Sequence, residues 1–114
     1  MKDRNYADYI HDILASIKEV DDFTKGMTFD DFCKDRKTTN AVIRSLEVLG
    51  EASRKISDDI KSKATNVPWA KMTGMRNKLI HEYFGVDLEI VWTVIKEELP
   101  PIKPFIEQLT REIQ

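Results

Sequence analysis

From Tyr6 onward the apolar residues of this chain recur at steps of three and four, and no segment shows a sustained two-residue alternation. A 3.6-residue period lays apolar side chains along one face of a helix, whereas a strand buried on one face needs a period of two. This pattern is the strongest constraint on the fold. In the first segment, residues 5–24, Tyr6, Tyr9, Ile10, Ile13, Leu14, Ile17 and Val20 form the stripe, while Asp8, Asp12, Lys18, Glu19 and Asp22 take the opposite face. Gly26 closes it.

The pattern restarts at "MTFDDFCKD". Thr28 and Asp31 have the spacing of a capping box, so a short helix is expected from about Phe29, joining or abutting a long one through "RKTTNAVIRSLEVLGEASRKIS". Ala41, Val42, Leu46, Leu49, Ala52 and Ile56 are the expected core face of the long helix. Gly50 lies in its middle, where glycine costs about 1 kcal/mol against alanine, which is easiest to explain by a second backbone packed close. "DDIKSKATN" reads as a loop with a turn of helix. Pro68 suits the first turn of a further helix over residues 68–83, with Trp69, Met72, Met75, Leu79 and Ile80 inward and Gly85 as a left-handed cap. Asp87 then caps a helix with Leu88, Val91, Trp92 and Ile95 inward. "LPPIKP" breaks or kinks it. A last helix over residues 101–112 carries Ile102, Phe105, Ile106 and Leu109. The expectation is one all-α domain over residues 1–114, an up-and-down helical bundle of four main helices plus short extra helices.

Composition narrows the function. With 18 basic and 20 acidic residues among 114, the chain is no polycation, so any nucleic-acid binding must use a local patch. The single cysteine, Cys33, rules out an intramolecular disulfide or a Cys-rich zinc site and is expected to be structural. No apolar run approaches the roughly 18 residues of a membrane span, and the polar N-terminus does not read as a signal peptide, which points to the cytoplasm.

The densest chemistry lies in "MRNKLIHEYFG", which holds Arg76, Asn77, His81 and Tyr83 within eight residues. At about 100° per residue, Arg76 and Tyr83 share a face of a regular helix. His81 falls about 140° round from Arg76 by the same geometry, so one helix does not readily aim both at one atom. A second copy across a two-fold axis would complete the site, as would unwinding toward Gly85. Arginine matches a phosphate with a permanent charge and a fork of donors, and histidine moves a proton near neutral pH. Together they suit cleavage of RNA by attack of the ribose 2′-OH on the adjacent phosphate, with Asn77 orienting the imidazole and no metal needed. Basic groups near a helix C-terminus are also an ordinary complement to its dipole, and from spacing alone both readings stand.

Other candidates are weaker. Glu47 and Glu51 lie one turn apart between Arg44 and Arg54 and could hold Mg²⁺, although solvated charge pairs explain them more simply. His11 has no motif around it, and a surface or packing role is expected. Lys34, Arg36 and Lys37 form the densest basic cluster, a solvated face or a strip of charge for RNA. The lack of a glycine-rich phosphate loop argues against a nucleotidyltransferase.

"RNKLIHEY" fits the R-N-x-x-x-H-x-Y pattern of HEPN-domain ribonucleases, and the chain resembles the HepT-like toxins among them. "RSLEVLGEASRKIS" resembles the second long helix of that family, and "VPWAKMTGMRNKLIHEYFGVDLEIVWTVIKEELPPI" resembles nearly all of its C-terminal half. The resemblance implies a helical bundle that forms a homodimer with a shared cleft. It implies a metal-independent endoribonuclease without a cofactor, with Arg76 and His81 catalytic, Asn77 assisting and Glu51 supporting the cleft. It further implies the toxin of a type VII toxin–antitoxin pair. Its partner would be an MntA-like nucleotidyltransferase antitoxin that transfers adenylate to Tyr83. The alternative is a non-catalytic subunit that binds a nucleotide or scaffolds such a nucleotidyltransferase; the intact Arg76/His81 pair favours the enzyme.

Overall fold

The computed structural model describes residues 5–75 and 87–113. They are helical throughout, with turns between and no strand among them. Helix α1 spans Tyr6–Phe23. Asn5 starts it with a reciprocal cap: its Oδ1 accepts from the Asp8 N–H at 3.1 Å, and the Asp8 carboxylate accepts from the Asn5 N–H at 3.2 Å. Gly26 comes shortly after it with φ +77°, the one positive φ among the described residues; an L side chain there would be strained.

The capping box expected at Thr28 is present and opens α2, Phe29–Lys34. Whether this helix joins or abuts the next is settled by Asp35. Its backbone, at φ −103° and ψ 88°, leaves the helical region, so one residue ends α2 and also starts α3, Arg36–Arg54. The Asp35 carboxylate accepts from the Thr38 N–H at 3.0 Å. Val42, Leu46, Leu49 and Ala52 are buried along α3, and Ile56 just beyond it is buried too. Ala41, expected in that stripe, is only half-buried and lines a groove beside α1.

Helices α1 and α3 run antiparallel: Tyr9 and Asp12 share a cleft with Glu51 and Arg54, whereas Phe23 shares a groove with Ala41. The Ser45 hydroxyl donates to Glu19 across the pair at 3.2 Å. The segment after α3 holds a single turn, α4, Asp58–Lys61, capped by Ser57. In α5, Trp69–Thr73, Pro68 is the N-cap rather than the first helical residue, and the Trp69 indole donates to the Ala64 carbonyl at 3.1 Å. Trp69, Met72 and Met75 are buried as expected. The helix expected over residues 68–83 is interrupted by a turn at Gly74. Its remainder, with Leu79, Ile80 and the Gly85 cap, lies outside the described residues.

Asp87 caps α6, Leu88–Thr93, accepting from the Glu89 and Ile90 N–H groups at 2.9 and 3.3 Å. The helix then widens into a π-turn over Val94–Glu98, closed by the Leu99 N–H on the Val94 carbonyl at 2.9 Å. The break expected at "LPPIKP" is therefore preceded by a widening. Pro100 and Pro101 have no N–H to continue a helical ladder, and Val94, Ile95 and Leu99 are all buried across the turn. Of the expected inward set on α6, Val91 is buried and Trp92 half-buried. The Trp92 ring packs on Phe32 and Phe29 at centroid distances of 5.1 and 5.9 Å. The last helix, α7, spans Lys103–Glu112, two residues later than expected, with Ile106 and Leu109 inward. The middle of the bundle is α1, with α3 on one side and the π-turn and α7 on another.

This packing sets two expectations for stability. Leu46 is fully buried between α1 and its neighbours, so Leu46→Ala should lower unfolding free energy in urea by about 2–5 kcal/mol, while exposed Lys37→Ala should stay within about 0.5 kcal/mol. The second concerns acid. The Thr28 backbone N–H holds the Asp31 carboxyl below its ordinary value, and the Thr38 backbone N–H does the same for Asp35. A carboxyl depressed on folding stabilises above its unfolded pKa, and that contribution is lost as pH falls through the lower folded value. Asp31→Asn and Asp35→Asn should each flatten the fall of stability from about pH 5 toward pH 2. Urea midpoints measured across that range check this, and an unchanged slope would refute it.

Candidate active-site cleft

Two helices and a turn enclose a cleft of about 470 Å³. The C-terminal half of α3 supplies Gly50, Glu51 and Arg54. From α5 come Ala70, Thr73 and the following Gly74, and α4 adds Lys61. Local sequence explains its shape. Ala70 and Gly74 are one turn apart, so they share a face, and Gly50 opposite them is buried in α3. None of the three carries a side chain beyond Cβ, which leaves the space between the helices open. Gly50, where a close approach of another backbone is expected, lines the same cleft as Ala70 and Gly74. A Cβ on Gly74 would sit 3.3 Å from the Ala70 carbonyl oxygen, a crowded distance within its own helix.

Charge in the cleft is partly paired. The Arg54 Nη2 donates to the Glu51 Oε1 at 2.7 Å and Nε to Oε2 at 3.4 Å. The Glu51 carboxylate raises the Arg54 pKa above its ordinary value, by hydrogen bond first and by charge second. These side chains, Arg54 and Glu51, are 58% and 50% exposed, so the pair is well solvated and contributes little to stability. It does fix the guanidinium plane at the mouth of the cleft. Lys61 is half-buried and makes no ion pair among the described residues. The Thr73 hydroxyl oxygen is buried and has no partner among the described residues.

Arg76, Asn77, His81 and Tyr83 lie outside the described residues. In sequence, Arg76 follows Gly74 by two positions. Glu51 lines this cleft and also lines the groove on the α1 side with Tyr9, Asp12, Arg44 and Glu47; the support expected of it for a shared catalytic cleft involves residues outside those described. Although Glu47, Glu51 and Asp12 border that one groove, no three His, Cys, Asp or Glu side chains among the described residues converge as a metal set would. His11 is exposed on α1. Cys33, expected to be structural, is exposed on α2 and fills no part of the core.

Lys34, Arg36 and Lys37 border the α2–α3 junction; all three are exposed, and Lys34 pairs with Asp30 at 2.9 Å. They stand at the opposite end of α3 from Arg54, about 27 Å away at 1.5 Å per residue, and do not line the cleft. Lys61 does, and nothing in the sequence pointed to it: it sits in "DDIKSKATN", where no periodicity fixes a face. Among the described residues, no helix is long and apolar enough to cross a membrane.

Comparison with known proteins covers nearly the whole chain. Residues 13–109 match the family model described as "Ribonuclease HepT-like". The chain is 44% identical over 108 residues to the "Probable ribonuclease HepT" of Thermococcus cleftensis, covering 95% of this chain and 98% of that one. It is 45% identical over 106 residues to a "Putative RNase" of Methanocaldococcus jannaschii, covering 93% and 88%. A "Putative RNase" of Caldanaerobacter subterraneus is 38% identical over 104 residues, covering 91% and 93%. No solved structure matches the chain. With the family model spanning all but the two ends, from the second turn of α1 to the last turns of α7, the chain belongs to the HepT-like ribonuclease family.

Proposed function

We propose that this protein is a metal-independent endoribonuclease acting as the toxin of a type VII toxin–antitoxin pair, with Arg76 and His81 as its catalytic residues. The observation that carries this reading is the R-N-x-x-x-H-x-Y pattern at residues 76–83, inside the span matched to the ribonuclease family. The ribose 2′ oxygen attacks the adjacent phosphorus. The O2′–P bond forms, the P–O5′ bond breaks, and the products are a 2′,3′-cyclic phosphate and a 5′-hydroxyl. His81 moves the proton, off O2′ or onto the departing O5′. Arg76 holds the non-bridging oxygens as charge develops on them, and Asn77 orients the imidazole.

The angular offset of about 140° between Arg76 and His81 on a regular helix supports a homodimer, in which each chain supplies part of a shared site. The antitoxin is an MntA-like nucleotidyltransferase, and its target is Tyr83. The tyrosine oxygen attacks the α-phosphorus of ATP, pyrophosphate leaves, and the phenolic proton is lost. The new phosphodiester sets a negative charge and bulk on the face that Tyr83 would share with Arg76 on a regular helix, where an RNA phosphate would otherwise bind.

Purified, unmodified protein should cleave single-stranded RNA in the presence of EDTA. Arg76→Ala and His81→Ala should each slow cleavage by about 10²-fold or more. No cleavage by the wild type, or equal cleavage by the variants, would sink the mechanism. Co-production with the nucleotidyltransferase should add the mass of an adenylate to the wild type and not to Tyr83→Phe. A silenced toxin of unmodified mass would count against Tyr83 as the switch.

A further inference from the structure

We infer that the cleft between α3, α4 and α5 seats a backbone phosphate of the RNA, and that Lys61 is the residue that binds it. This rests on the ribonuclease reading above and adds a binding residue to it. The first support is electrostatic. Arg54, Lys34 and Lys71 each direct their charge to a carboxylate, Glu51, Asp30 and Glu98 respectively. Lys61 is half-buried at the cleft wall with no such partner among the described residues. A lysine ammonium at a cleft wall without a carboxylate partner favours an incoming anion.

Among the described residues, the charges lining the cleft are Lys61, Arg54 and Glu51, one net positive charge. Size agrees as well, since about 470 Å³ lies within the range of sites that take small molecules. The floor of Gly50, Ala70 and Gly74 leaves room for a sugar to approach the helices closely.

The neighbouring groove between α1 and α3 has the opposite character. Asp12, Glu47 and Glu51 face two guanidiniums there, Arg44 and Arg54. The α4–α5 side is therefore the better seat for a phosphate. The basic cluster at the far end of α3 is too distant to substitute, and the chain reaches Arg76 two residues after Gly74.

The test uses wild-type protein and a fluorescent 2′-O-methyl oligoribonucleotide, which lacks the attacking hydroxyl and so reports binding without turnover. Anisotropy is measured across a salt series, beside Lys61→Ala, Lys61→Arg and exposed Lys63→Ala. Lys61→Ala should weaken binding about threefold to tenfold and reduce the slope of log K against log salt by about 0.7, the value for one phosphate contact on a single strand. Lys61→Arg should restore most of both, and Lys63→Ala should change neither. With cleavable RNA, Lys61→Ala should act through a raised KM. An unchanged slope in Lys61→Ala, or an equal loss in Lys63→Ala, overturns the inference even where the wild type cleaves RNA. Lys61-dependent binding by a protein that never cleaves supports the cleft and rejects the ribonuclease mechanism instead.

Discussion

Among the described residues, the long helices are placed by the need to cover one stripe of aliphatic side chains on α1. Ile10, Ile13, Ile17 and Val20 are almost wholly removed from water. No single helix can shield such a stripe, because a buried helix needs neighbours on more than one side. The chain supplies α3 antiparallel on one flank and the π-turn and α7 on the other. The remaining pieces then attach to α3. Phe32 of α2 is buried and held by the Trp92 ring, and α5 docks through Trp69, Met72 and Met75. At about 25 cal/mol per Å² of apolar surface buried, this shared core is the dominant favourable term in folding.

The cleft is a by-product of that scaffold at one place where packing is incomplete. Wherever α3 meets another helix through Leu46 or Leu49, the interface is filled. Where it meets α5 through Gly50, Ala70 and Gly74, side-chain volume is missing and a hollow remains. Charged groups from α3 and α4 border the hollow without entering the core. The bundle thereby presents a polar recess, and the helices on which the recess is built gain their stability elsewhere.

Much of this architecture was legible in the sequence because its signals are local. Thr28 with Asp31, and Asp87 before its helix, announced caps that the structure contains, and the aliphatic periodicity of α1 and α3 named nearly all of their buried apolar residues. Three features were not legible, each for a different reason. The π-turn depends on how Leu99 is drawn into the core, which no local pattern encodes. Lys61 lies in a segment whose single helical turn is too short to show a period. Cys33 was assigned a structural role on residue type alone, and α2 turns out to bury only Phe32. For the site, the octet from Arg76 to Tyr83 was conspicuous in the sequence because its residue types and spacing are local, and it lies outside the described residues.

The widened turn at Val94–Glu98 holds one more residue than an α-helical turn would. It is in effect an insertion that the bundle has absorbed without rotating the α7 helix beyond it. Loss of one residue from α1 or α3 would swing the apolar stripe past that point by about 100° and expose it. Loss of one residue here, such as Glu97 on the outer side of the turn, would let the ring close as an ordinary α-turn and leave α7 facing the core. The chain therefore carries its slack in this segment, while the helices around the cleft keep their register.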